Sequence, residues 1–272
     1  MPAVSAAPLL TIYYGGQRFM LLADDFVLDR RQSPYRRLAA TLLYARRAPF
    51  RIEIEGFGSL SAWALLLTPK LRRRLIHAPA SQIAIFDYPM GTAGYRRLAP
   101  LLREAPVHAC HPAAFAALHP ALDAAAQGRL EADEALALHR HMAEAIAPPV
   151  TAESLDDLRI ARTLARIAQL PLDQVMLTRL AAAEGLSASR LRHLFSAETG
   201  STVSHYARWL AVWRAVDAWR PGLTWTRLAQ DAGFHDLAHF DHAFLEVFGL
   251  KPSRVFDPQR VCLRSLLSGS SR

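Results

Sequence analysis

The sequence predicts an α+β protein, with a small antiparallel β-barrel and a helical tail in front of an all-α half of about seven helices. Three observations predict it. Between residues 9 and 100, short apolar runs alternate with turn residues. From about residue 95 the chain becomes rich in Ala and poor in β-branched residues. Between Leu180 and Gly249 one spacing pattern occurs twice.

The front region is read from its punctuation. Apolar runs at 9–14, 19–22, 38–44, 50–54, 63–67, 75–77 and 83–86 are each of strand length. Gly15-Gly16, Asp24-Asp25, Ser33-Pro34, Gly56 and Gly58, Pro69-Lys70 and Pro79 separate them, and such residues turn a chain. Many short strands at this spacing fit a barrel or sandwich over 1–100. A helical segment follows at 101–148, where Leu136, His139, Ala143 and Ile146 recur at helical spacing. Such a stripe packs on its own barrel or serves as a dimer contact. Pro148-Pro149 stops the helix, and 149–154 reads as a linker.

The second half, 155–262, begins with a helix at 155–168, with Leu158, Ala161, Leu164, Ala165 and Ala168 on one face. The repeat follows. Leu180-Ala181, Gly185, Leu191-x-His193-x-Phe195 and Gly200 are matched about 49 residues later by Leu228-Ala229, Gly233, Phe240-x-His242-x-Phe244 and Gly249. Each copy reads as helix, glycine turn, helix, which is a helix-turn-helix pattern, at 177–198 and 225–248. A long apolar-striped helix at 202–218 joins them, Pro221-Gly222 ends it, and Pro252 opens a last short helix. Residues 263–272 read as a small, polar, frayed tail.

In a helix-turn-helix the second helix lies in the DNA major groove. In the first motif, Leu191, Leu194 and Phe195 form the inner side, which leaves Ser189, Arg190, Arg192 and His193 facing out. Arg192 is the strongest base reader, because a guanidinium fork matches guanine O6 and N7. In the second motif, Leu237, Ala238, His239, Asp241 and His242 face out. Leu237 and Ala238 suit a thymine methyl, while His239 and His242 can donate to bases or phosphate. Ser187 reads as an N-cap at the DNA-facing end of its helix. Arg208, Lys251 and Arg254 are phosphate candidates. A solvated helix face would look the same for any one of these residues; the duplication argues for contact.

The same residues carry a resemblance. Leu180-Ala181, Ser187, Leu191, Phe195, Gly200, Tyr206, Ala229, Gly233-Phe234, Phe240, Phe244, Gly249 and Pro252-Ser253 resemble the signature of the AraC/XylS transcription regulators. The run from Asp157 to Ile160, with Ile167, resembles that family's first DNA-domain helix. Residues 65–69, His77 and 83–89 resemble the cupin-like sensor domain that precedes many such DNA domains. The family's base-contacting positions map onto Ser189, Arg192, His193, Leu237, Ala238, His239 and His242. The sequence departs from the family at His193 and His242, where Arg is common, and at Ala211, where Arg is frequent. The resemblance implies a bacterial, ligand-responsive regulator, activator or repressor; a cytoplasmic location is expected from the lack of a membrane-length apolar run and of a signal pattern. It implies double-stranded DNA, a small organic effector and RNA polymerase as partners, a homodimer formed through 101–148, and no cofactor, metal or membrane.

Composition agrees with a globular chain: 51% of residues are apolar and 21% charged. The net charge of +8 suits a polyanionic partner, but the first 150 residues carry +5 of it, so bulk charge does not single out the DNA half. Asn is absent, so no Asn can read adenine edges. No apolar run is long enough to span a membrane. Two cysteines, Cys110 and Cys262, do not make a disulfide scaffold.

Three other readings compete. His108, Cys110, His111 and His119 could suggest a metal site, and Cys110-His111 faintly resembles the alkyl-accepting Cys-His of DNA alkyltransferases. Ala109 and Pro112 stand where that motif has Pro and Arg, and the metal reading lacks ligand spacing. The other rival is a constitutive or architectural DNA-binding protein whose front domain only dimerises.

Overall fold

The computed structural model describes residues 10–32, 34–147, 157–220, 222–256 and 259–267. The front domain contains two sheets. The larger has seven strands, in the order β10 (Val107–Ala109), β7 (Ala64–Leu67), β4 (Ala39–Ala45), β9 (Ile83–Pro89), β2 (Arg18–Ala23), β1 (Leu10–Gly15) and β11 (Val261–Ser265). The smaller has four: β3 (Phe26–Asp29), β8 (Arg73–Ala78), β5 (Phe50–Ile54) and β6 (Gly58–Ala62).

Successive side chains of a strand point to opposite faces, and both faces of the larger sheet are covered. One face presents Tyr13, Met20, Leu42, Tyr44, Leu66, Phe86 and Tyr88 to three helices: α1 (Ala93–Glu104), α2 (His119–Ala126) and α3 (Ala132–Glu144). The other presents Ile12, Phe19, Leu21, Leu43, Leu65, Leu67 and Ile85 to the smaller sheet and to the helical half. Burial on both faces is why these strands read as continuous apolar runs rather than as alternation.

The α+β class holds, but the expected closed antiparallel barrel is an open pair of sheets, and its last edge strand, β11, runs parallel to β1. Both edge strands of the larger sheet come from segments with other expectations. β10 lies inside the stretch read as helical from 101 to 148. β11 lies across the expected end of the DNA half and the start of the tail, with Leu266 buried beyond it. Segments of three and five residues are too short to show a period, so their pairing is set only by the sheet edges they meet. Helix α1 also begins before residue 101. The 149–154 linker and residues 268–272 lie outside the described residues.

Helix α3 turns Ala135, Leu138, His139, Met142 and Ala143 inward. The stripe expected there is used against the chain's own sheet, and Leu136 and Ile146 are left at its half-buried margin.

The helical half contains α4 (Leu158–Gln169), α5 (Leu177–Ala183), α6 (Ala188–Thr199), α7 (Val203–Ala218), α8 (Trp225–Asp231), α9 (Leu237–Phe248) and α10 (Pro252–Val255), seven helices among the described residues. Helix α4 buries Ile160, Thr163 and Ile167, not the face expected, and Leu158 is 67% exposed. Helix α7 is buried almost all round, because it lies between both helix pairs and the front domain.

Candidate nucleic-acid interface

The repeat is a structural one. In the first copy α5 ends at a turn where Gly185 has φ +66°, and Ser187 caps α6 by accepting from the Arg190 N–H at 3.2 Å. In the second, α8 ends where Gly233 has φ +86°, and Asp236 caps α9 by accepting from the His239 N–H at 2.7 Å. A side chain at Gly233 would be strained and would also meet the Leu172 backbone nitrogen at 2.6 Å. Both second helices end on a left-handed glycine, Gly200 and Gly249. The inner faces also correspond: Leu180, Ala181, Leu191 and Phe195 in one copy, Leu228, Ala229, Phe240 and Phe244 in the other.

On α6, Ser189, Arg190, Arg192 and His193 are exposed along one side, and Ser187 is exposed at its start. On α9, Ala238 and His242 are exposed. Leu237 is half-buried against the core, and the half-buried His239 ring meets the Phe234 ring edge-on, with 5.1 Å between centroids. Asp236 is engaged as the α9 cap; its hydrogen bonds from His239 and His235 hold its carboxyl below the usual range. The two helices therefore present unequal surfaces: two guanidiniums on α6, small and imidazole side chains on α9.

The phosphate candidates separate. Lys251 and Arg254 are exposed at α10. Arg208, on α7, lies instead in a narrow crevice with Arg36 and Leu38 of the front domain and with His205 and Glu246. Sequence reasoning missed the contacts that brace the first motif. Arg162 and Arg166 of α4 both pair with Glu184, whose side chain is 1% exposed, and Arg214 of α7 donates to the Ile167 carbonyl at 2.6 Å. No local signal marks these pairs, since each joins two separate elements.

The histidines and cysteine of the front domain have separate local partners. His119 Nε2 is 2.8 Å from the Tyr44 hydroxyl, and His111 Nδ1 accepts from the Ala113 N–H at 3.3 Å. Burial pushes the Cys110 thiol up to about 11, which keeps thiolate scarce near neutral pH. Among the described residues, no three His, Cys, Asp or Glu are gathered to hold a metal ion. Among the same residues, no helix is long and apolar enough to cross a membrane.

A helix-turn-helix domain family matches residues 180–257. A comparison with curated protein sequences finds no match. Among solved structures, the chain resembles ToxT of Vibrio cholerae strain SCE256 with an unsaturated fatty acid bound. That match has a TM-score of 0.52 at 10% identity, over 88% of this chain and 95% of that one. It also resembles ToxT of Vibrio cholerae O395 bound to (E)-4-(8-methylnaphthalen-1-yl)but-3-enoic acid, with a TM-score of 0.52 at 10% identity, over 92% of this chain and 98% of that one. Residues 180–257 of this chain form a helix-turn-helix domain of the AraC type, behind a sheet-rich domain in the arrangement of the ToxT fold.

Proposed function

We propose that the protein is a sequence-specific, ligand-responsive regulator that inserts α6 and α9 into successive major grooves of double-stranded DNA. The observation that carries this reading is the pair of equivalent helices, each capped, each ended by a glycine, and each with one exposed face. Arg192 is the principal base reader. Ser189, His193, Ala238 and His242 contribute along the exposed faces, Leu237 and His239 at their margins, and Lys251 and Arg254 neutralise phosphate. The partners proposed with it are RNA polymerase and a second copy of the chain. A homodimer through 101–148 would use the outer side of α3, because the inner side covers its own sheet.

Replacing Arg192 with Ala tests the DNA reading. The expected result is a loss of about 1–3 kcal/mol that is confined to one or two base positions of a selected site. Equal weakening on all sequences would reassign Arg192 to phosphate.

The effector class favoured is a carboxylic acid with an apolar body. Both ToxT ligands above are of that kind. This chain also buries two guanidiniums, Arg37 and Arg73, beside one carboxylate, Asp87, and among the described residues Nε and Nη1 of Arg73 have no hydrogen-bond partner. A specific observation favours the constitutive alternative: Phe19, Leu43, Phe50, Ile52, Leu67 and Ile76, from both sheets, are buried in one apolar cluster. Thermal unfolding of the full chain with (E)-4-(8-methylnaphthalen-1-yl)but-3-enoic acid and with its methyl ester separates the two. Stabilisation by the acid alone, about 2.7 kcal/mol at a hundredfold excess over Kd, supports the responsive reading. No shift with either supports the constitutive one.

A further inference from the structure

Gly200 and Gly249 occupy equivalent places in the two motifs, and the front domain grips both. The last carbonyls of a helix lack partners within it, and its C-terminal end carries partial negative charge. At α6, the Lys70 ammonium donates to the Gly200 carbonyl. At α9, Arg37 Nη2 donates to the Phe248 carbonyl at 2.9 Å. Beside each cation an apolar group of the front domain closes on the glycine. A Cβ at Gly200 would meet Met90 Sδ at 2.9 Å, and one at Gly249 would meet the Tyr35 ring at 2.7 Å. Each glycine therefore serves the left-handed helix end and the close approach together.

The two grips belong to one unit. The Lys70 N–H donates to the Arg37 carbonyl at 2.8 Å, and the Met90 N–H donates to the carbonyl of Leu38, the residue after Arg37. The Arg37 guanidinium is held in turn by Asp87, which also accepts from the Thr41 hydroxyl at 2.7 Å. One hydrogen-bonded part of the front domain thus spans from the end of one recognition helix to the end of the other.

We propose that Arg37 and Lys70 are positioning residues, which set the placement of α6 relative to α9 and with it the spacing of DNA segments that the chain reads. The spacing claim rests on the reading of α6 and α9 as recognition helices; the placement claim does not. One added base pair moves a half-site by about 3.4 Å along the DNA and turns it about the axis. A pair of helices held at both ends cannot follow that change, whereas a pair held only through α7 has more freedom.

The test uses the full chain with spin labels on Ser196→Cys of α6 and Gln230→Cys of α8, in a Cys110→Ser, Cys262→Ser background. Without DNA, the parent is expected to give one narrow interlabel distance distribution. Lys70→Met is expected to broaden it, while Lys70→Arg, which still donates, keeps it narrow. Lys70 is exposed, so the substitution leaves the core intact, and an unchanged melting temperature checks this. An unchanged distribution in Lys70→Met overturns the placement claim, whatever DNA does. Next, a duplex selected from a random pool by the parent is compared with versions carrying one or two added base pairs between the contacted segments. The parent is expected to lose tenfold or more on the first insertion, and Lys70→Met less than threefold. Equal losses in both proteins overturn the spacing claim. Failure of the parent to select any duplex overturns the recognition-helix reading instead.

Discussion

Replacing Asp87 with Ala is expected to destabilise the folded chain by about 3–5 kcal/mol, the range for removing one partner of a buried ion pair. Asp87 is 5% exposed, Arg37 3% and Arg73 0%. Its carboxylate pairs with Arg37 and accepts from Thr41, whose hydroxyl also accepts from Arg73 Nη2 at 2.8 Å. Burial already holds the Arg73 guanidinium below the ordinary arginine value. Without Asp87, two cations would share a desolvated core with no counter-charge. Arg73→Met in the Asp87→Ala background is therefore expected to recover part of the loss, although it removes a second polar group. Urea midpoints of the parent, the single variants and the double variant measure this. A cost below about 1 kcal/mol for Asp87→Ala would show that water reaches the cluster and that its charges are not carried by one another.

The second large effect is acid sensitivity carried by His139. The ring lies between the larger sheet and α3, with centroids 4.5 Å from Tyr88 and 6.1 Å from Phe86. Its Nε2–H donates to the Asp87 carbonyl at 2.9 Å, and the Tyr88 hydroxyl donates to the His139 carbonyl at 2.8 Å. Burial pulls the imidazole pKa down to about 4; the bond to Asp87 opposes that shift, and Arg18 adds to it. Because the folded value is depressed, the unfolded chain takes up the proton first. The stabilisation is complete above the unfolded value near 6.5 and is lost as pH falls through about 4. A shift of this size corresponds to about 3 kcal/mol. His139→Gln keeps a donor and removes the titration. The stability difference between parent and variant is expected to move by about 3 kcal/mol in favour of the variant between pH 7 and pH 4. Asp217 works in the opposite direction, since burial pushes its carboxyl up to about 6. Folding then takes up a proton there, and stability rises as pH falls through that value. It is common to both proteins and cancels in the difference. A constant difference across the range would show that the ring protonates in place.

The local code of the helical half was legible in the sequence because its signals are local. A glycine that needs positive φ, a Ser or Asp that caps, and apolar residues at helical spacing act within a few residues of one another. From these, Gly185, Ser187, Gly200, Gly233 and Gly249 marked both motifs, and Arg192 and His193 fell on an exposed face. The seven apolar runs of the front domain marked strands for the same reason. What only the tertiary structure decided was which surfaces meet. Strand β11 lies on the first strand of the chain, and Arg37 reaches a carbonyl 211 residues away. In the run Arg72-Arg73-Arg74 all three look like surface charges. Strand alternation turns Arg73 into the core, while Arg72 and Arg74 pair with Glu55 outside. The surroundings of Arg208 were likewise set by packing, since on α7 it lines a crevice with Arg36 and Leu38 of the front domain. Local periodicity specifies the elements and their apolar faces, whereas the edges, buried charges and helix ends that pair across the molecule depend on packing between segments far apart in the chain.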